Sequence, residues 1–357
     1  MNWCTGRRSA RLNLGSINGG LPGGERHRAL MTGLALALAA SCLIALSMGR
    51  YSVNPADVLR VLRETLTGSP PLDEGMQTVL FAIRVPRAVA AMFVGAALSL
   101  SGAVYQGVFK NPLVSPDLLG VSSGACVGAA TAILLGGGMA MTQISAFAFG
   151  MLAVGLSVGI TRMLRNETNM ALVLAGIITG GLMSSILGIL KYVADPETEL
   201  AEIVFWQMGS LESVRRPHLL AVSPIFVACG AVLIALSWRI NILSFGEEEA
   251  KSLGMNVRLY RGAAIACSSL LTASAVSISG TIGWIGLVIP HFGRLVGGSD
   301  NTRLLPVTIL LGSLFMLVVD TVSRAATSVE IPLSILTGLI GAPFYAWLLW
   351  KQRVSAL

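Results

Sequence analysis

Residues 243–257 read LSFGEEEAKSLGMNV, a charged, helix-forming insert between two long apolar segments of a chain that is otherwise apolar almost throughout. A helix over Leu243–Leu253 places Leu243, Gly246, Ala250 and Leu253 on one arc and turns Glu247, Glu248 and Lys251 away from it. Gly254 supplies the residue type that ends helices, and Glu247 and Lys251 have the i,i+4 spacing of an ion pair. A short amphipathic helix on the water side of a membrane bundle either lies in the lipid interface or presses into a soluble partner. Interfacial helices carry Lys and Arg on their polar face. This one is mostly acidic, which points to a partner.

Working outward, the flanks read as membrane. The 357 residues are 54% hydrophobic and 12% charged, with mean hydropathy +0.74. A helix needs about 20 apolar residues to cross a bilayer. Ala29–Gly49, Ala88–Phe109, Met170–Leu190, Pro217–Trp238, Leu304–Thr327 and Ile331–Trp350 each read as one span. Leu118–Thr161 is long enough for two, divided at Gly136-Gly137-Gly138, and Gly262–Gly293 for two, divided near Ser279-Gly280. The expectation is an all-α membrane protein of about ten transmembrane helices spanning residues 29–351, after a basic arm over residues 1–28. The first apolar stretch lacks the small-residue cleavage site of a signal peptide.

With the N-terminus inside, ten spans put 16 of the 25 Lys and Arg residues in inner segments. The positive-inside rule then places both termini and the insert at 243–257 in the cytoplasm of a multi-pass inner (plasma) membrane protein. The net charge of +7 needs no nucleic acid to explain it. Five scattered cysteines and three dispersed histidines show no metal-ligand spacing. Many of the 40 glycines fall within spans, among them Gly95, Gly102, Gly176, Gly181, Gly188 and Gly286. Small residues let helices pack closely in lipid, and a seam of them, with Ser184 and Ser185, can also border a passive pathway.

No Gly-Lys pair occurs, so there is no Walker A loop for ATP phosphates, and there is no His-Glu-x-x-His. The spans hold almost no ionisable residue, which argues against an ion-coupled secondary transporter. No polar cluster suits an intramembrane enzyme. The chain is expected to bind no cofactor and to carry no catalytic residues, so energy for transport comes from a separate subunit.

Several ordered motifs carry a resemblance. Arg84-Val-Pro-Arg87, Ser101-Gly-Ala-Val-Tyr-Gln106, Lys110-Asn-Pro-Leu113, Leu119-Gly-Val-Ser-Ser-Gly-Ala125 and Trp206-Gln-Met-Gly-Ser210 come first. Leu243-Ser-Phe-Gly-Glu247, Ser252-Leu-Gly254, Pro290-His291, Arg294, Asp320 with Arg324, and Ile340-Gly-Ala-Pro343 follow. Together they resemble the FecCD-type permeases, the membrane subunits of type II ABC importers for ferric siderophores, haem and vitamin B12. Thr281 and Trp284 stand where that family more often has Pro and Phe.

The resemblance implies a bundle like that of the vitamin B12 importer permease, paired with a second permease subunit in a homodimer or heterodimer. Two cytoplasmic ATPases, which hold ATP and Mg, and a periplasmic or extracellular substrate-binding protein complete the machine. Gly246, Glu247, Glu248, Ala250, Leu253 and Gly254 would then form the coupling element that docks on the ATPase. Arg84, Arg87 and Arg324, at the outer ends of their spans, would meet carboxylates of the binding protein. From the residues alone, snorkelling or an i,i+4 pair of Arg324 with Asp320 explains them as well. Thr168 and Asn169 fall at the cytoplasmic constriction, although a helix N-cap is an equal reading. The expected cargo is an iron-siderophore-type chelate, with cobalamin, haem or an oxyanion such as molybdate as alternatives.

Overall fold

The computed structural model describes residues 23–49, 53–67, 73–165 and 168–355, and every regular element among them is helical. α1 (Gly23–Ser47) leads to α2 (Pro55–Thr67) and α3 (Glu74–Thr78), which runs through a π-turn at Val79–Arg84 into α4 (Val85–Val108). After a 3₁₀ turn at Pro116–Leu119 come α5 (Val121–Leu134), α6 (Met139–Met163), α7 (Asn169–Val193), α8 (Glu199–Met208) and α9 (Arg216–Ala235). The chain ends with α10 (Ser237–Phe245), α11 (Glu247–Ser252), α12 (Val257–Ser279), α13 (Ile285–Gly297), α14 (Asn301–Ala325) and α15 (Leu333–Ser355). Seven helices are long and apolar enough to cross a membrane, and three shorter apolar ones, α5, α13 and residues 333–347 of α15, bring the crossings to the expected ten.

Both breaks expected at glycines are present. Gly136 has φ 66° between α5 and α6, and Gly280 has φ 68° where α12 stops. A Cβ on Gly280 would land on the Trp206 carbonyl, so sterics and backbone conformation both require glycine there. Two boundaries differ from the sequence reading, and two helices are added to it. α1 begins at Gly23, so the expected arm shortens, and residues 1–22 lie outside the described residues. The second span does not open at Ala88 but continues a 35-residue helix from Glu74, with a π-turn just before Pro86. α2 and α8 are additional helices in the polar connections.

α4 is the central column, packed on α12, α13 and α14, and its middle is buried on all sides. Its glycines meet backbone rather than side chains. A Cβ on Gly95 would strike the Gly312 carbonyl of α14, and one on Gly102 would strike the Gly286 carbonyl of α13. Ser99 donates to the Thr308 carbonyl (2.8 Å) and Ser313 to the Met92 carbonyl (3.0 Å), so α4 and α14 are also stitched by reciprocal hydrogen bonds. In lipid no hydrophobic force draws helices together, and such close contact takes its place.

α5 and α13, at 14 and 13 residues, extend only about 20 Å, short of a 30 Å hydrocarbon core. Irregular segments before each make up the length, and their polar backbone is satisfied inside the protein. Gln106 donates to the Val114 carbonyl (3.4 Å) and Ser279 to the Gly280 carbonyl (3.0 Å). Non-helical backbone at this depth is tolerated only with such partners.

Other glycines face open space. Gly181 and Gly188 lie on a broad exposed face of α7 with Ile177, Ser184, Ser185 and Tyr192, and nothing stands within 4 Å of a Cβ on either glycine. The glycine seam thus divides into packed and open positions. Gly102→Val is expected to abolish most of the monodisperse protein, because overpacking against backbone costs about 1–3 kcal/mol or more. Gly181→Ala should leave yield and thermal midpoint within about 0.5 kcal/mol of the parent. Size-exclusion profiles and melting of the two variants check this.

Candidate functional site

One end of the bundle carries a projecting knob built from α10 and α11. The expected single helix over Leu243–Leu253 is broken in two at Gly246, whose φ of 152° and ψ of 159° are open to glycine and strained for other residues. A Cβ there would also strike the Glu249 carboxylate. Gly254, with φ 75°, ends α11 as expected, donating its N–H to the Lys251 carbonyl (2.9 Å).

The break redistributes the residues read as one arc. Leu243 and Ala250 are buried against the bundle, while Leu253 is 69% exposed and Phe245, not singled out in the sequence, is 73% exposed. Glu247 does not pair with Lys251. It binds Arg261 of α12, and Lys251 pairs instead with Glu248 at 3.0 Å. A helix that stops at Ser252 has little room for local pairing, and the α12 guanidinium, itself largely buried, offers Glu247 the drier partner. The outward surface of the knob is therefore two large apolar side chains amid carboxylates, not the small apolar arc.

Tertiary bonds hold the knob. The Asn241 amide donates to Asp300 (2.7 Å) and accepts from the Asn301 backbone and side chain (2.8 Å each), which joins α10 to the start of α14. Partial burial opposes ionisation of Asp300, but hydrogen bonds from Asn241 and Thr302, with Arg303 close by, hold its carboxyl below the ordinary range. Ile240, fully buried, packs on Gly107 of α4.

Beside the knob, Thr168 is the N-cap of α7 and accepts from the Ala171 amide (3.3 Å). Asn169 donates to the Val108 carbonyl at the end of α4 (3.0 Å), and its own carbonyl oxygen is buried without a partner. The two expected gate residues are thus a cap and a strut between α7 and α4.

At the opposite end lies a buried ionic network. Arg87 donates to Asp320 on α14 (2.9–3.1 Å) and spans Glu330 with both terminal nitrogens (2.8 Å each). Arg324 approaches Asp320 at 3.8 Å, the i,i+4 pair that the spacing allowed, and donates to the Ala45 carbonyl. Arg84 donates to the carbonyls of Leu46 and Ser47, so the two arginines satisfy the C-terminal carbonyls of α1. The family resemblance implies that Arg84, Arg87 and Arg324 meet a partner's carboxylates, with snorkelling or an Arg324–Asp320 pair as the alternative reading. In the structure Arg84 and Arg87 are 5% and 7% exposed and bind partners within the chain. The physical reason is that α14 and its following loop bring Asp320 and Glu330 to the same level as Arg87, and an arginine desolvated at a span end requires charge partners. An open pocket of 860 Å³ between the end of α1 and the α14–α15 connection lies beside this network, with Arg324 in its wall.

Among the described residues no group of three His, Cys, Asp or Glu side chains could hold a metal ion. The described residues thus hold a knob at one end of the bundle and an ionic network at the other, joined by helices packed through glycine. A profile of the FecCD transport family matches residues 36–351. The chain belongs to that family. It is 40% identical to the molybdate import system permease protein of Haemophilus influenzae over 329 residues, covering 92% of this chain and 97% of the relative. It is 41% identical over 282 residues to a Helicobacter pylori protein described as an iron chelatin transport system permease protein, covering 78% and 84%. A solved chain from an inward-facing metal-chelate type ABC transporter is 40% identical, with a TM-score of 0.82, covering 91% of this chain and 99% of that one. This FecCD protein is therefore a multi-pass ABC importer permease.

Arg87→Ala would leave Glu330 without its cation and buried Asp320 with only Arg324, 3.8 Å away, and is expected to cost about 3–5 kcal/mol. Disrupting the exposed Arg60–Asp57 pair, 3.3 Å apart, should cost under about 1 kcal/mol. Thermal unfolding of both variants in the same detergent tests the contrast.

Proposed function

We propose that this FecCD protein passes a metal chelate of the iron-siderophore class from an extracytoplasmic binding protein into the cytoplasm, driven by separate ATPase subunits. It lies in the inner membrane with the knob and both termini cytoplasmic. ATP and Mg²⁺ belong to the ATPases, and this chain forms a passive conduit with a second permease subunit. The open glycine and serine face of α7 suits the wall of that conduit, because a solute handed over by one protein and released to water needs weak contacts.

The observation that carries the reading is the knob. Exposed Phe245 and Leu253 amid Glu248, Glu249 and Lys251 form an apolar centre with a charged rim. That is the anatomy of a docking surface. Gly246 and Gly254 shape the knob, Ala250 seats it and Glu247 ties it to α12. Thr168 and Asn169 narrow the cytoplasmic end. Arg84, Arg87 and Arg324 act on binding-protein docking by fixing the rim on which it sits.

Molybdate is a second reading of the cargo, favoured by the Haemophilus influenzae relative, whose match extends over 92% of this chain against 78% for the iron chelatin relative. Vesicles containing the permease, its ATPase, its binding protein and ATP are expected to accumulate an iron(III)-siderophore. Molybdate accumulation instead would establish the second reading. Permease alone under an ion gradient should accumulate neither, and vigorous uptake by it would refute the conduit.

Phe245→Asp and Leu253→Asp are each expected to weaken ATPase association at least about 30-fold, the effect of losing an interface anchor worth 2 kcal/mol. Co-purification of the ATPase with each variant, against unchanged folding, is the measurement.

A further inference from the structure

Beside the knob, where α6 ends and α7 and α12 begin, lies a polar pocket of 350 Å³. Four cations line it from three separate segments: Arg165 on the α6–α7 turn, Lys251 on α11, and Arg258 and Arg261 on α12. Among the described residues the carboxylate in its wall is Glu247, which Arg261 engages, and Lys251 is paired with Glu248 on the same helix. Arg165 adopts a left-handed backbone conformation, φ 52°. Thr168 adds a hydroxyl.

We propose that this pocket is a binding site for a phosphate group, supplied by the headgroup of an anionic phospholipid in the adjoining leaflet. Three spans terminate around it, which sets the cations at headgroup level. Guanidinium groups match phosphate oxygens in geometry and charge. Basic pockets between transmembrane helices recognise anionic headgroups by this chemistry. The flanks separate a lipid from free phosphate as the source. Met163, Leu164 and Met170, within two residues of the lining Arg165 and Thr168 along the chain, are 85%, 64% and 69% exposed, apolar surface suited to acyl chains and of no use to a soluble ion. The volume holds a phosphodiester with several waters, each occupying about 30 Å³.

The site has a consequence for the knob. Glu247 and Lys251 belong to α11, so a bound headgroup braces the docking element against the α6–α7 turn and α12. Neither the cargo nor the ATPase assignment enters this inference, which rests only on the membrane placement of the helix ends.

The test extracts the full chain from vesicles of equal phosphatidylglycerol and phosphatidylcholine and identifies retained lipid by native mass spectrometry. Wild-type protein should retain phosphatidylglycerol preferentially, and Arg165→Gln/Arg258→Gln should lose that preference by about fivefold per arginine. Arg165→Gln alone, an exposed turn substitution, provides the single step should the double variant fold poorly. A parallel arm melts delipidated protein with inorganic phosphate or matched chloride. Stabilisation by phosphate in wild type alone, without phosphatidylglycerol retention, keeps the phosphate site and replaces the lipid with a soluble source. Equal retention of both lipids without phosphate stabilisation would overturn the site, as would a preference unchanged in Arg165→Gln and in the double variant.

Discussion

The close contact of α4 with α14 is the constraint on which the remaining features depend. Gly95 and Gly312 bring the two backbones together, and Ser99 and Ser313 each donate to a carbonyl of the other helix. The pair is fastened again at both ends. Arg87 of α4 binds Asp320 of α14 in the buried network, and at the knob Asn241 grips the start of α14 while Ile240 packs on Gly107 of α4. In hydrocarbon, where burial of apolar surface gives no preference for one helix neighbour over another, such backbone contacts and satisfied polar groups decide which helices stay together.

This arrangement divides the protein into a braced part and a freer part. The braced part holds the knob, α4, α14 and the carbonyl-capped end of α1. α7 instead turns a long face outward, with glycines that touch nothing. An importer permease must transmit a force applied at one end while changing shape around its pathway. Packed interiors do this by moving as bodies rather than by deforming continuously. The distribution of glycines, backbone-tight on α4 and open on α7, fits that division.

Much of this was legible in the sequence because it is local. The crossings followed from uncharged stretches, and the breaks at Gly136 and Gly280 from glycine in otherwise helical runs. The C-terminal end of α11 was legible for the same reason, since Gly254 sits beside the charges it caps, whereas its start at Gly246 was not. The ionic network, apart from the i,i+4 pair of Arg324 with Asp320, was not. Arg87 finds Asp320 and Glu330 across 233 and 243 residues of chain, so its burial depends on a register that no short pattern encodes. The expected pair of Glu247 with Lys251 failed in the same way, since Arg261 lies 14 residues on and beyond a turn. Phe245 escaped notice because only the break at Gly246 turns it outward. The helices α2 and α8 were missed because hydropathy finds spans, and these two lie in connections.

The rigidity of the α4–α14 pair is best tested by double electron–electron resonance on the assembled transporter. Spin labels at Ser244 in the knob and Ala325 at the far end of α14, both exposed, bracket the braced part. A third at Tyr192, 89% exposed at the end of α7, reports on the freer part. The account predicts one Ser244–Ala325 distance distribution with and without ATP, and a Ser244–Tyr192 distribution that shifts. A shift between Ser244 and Ala325 comparable to that of α7 would contradict it.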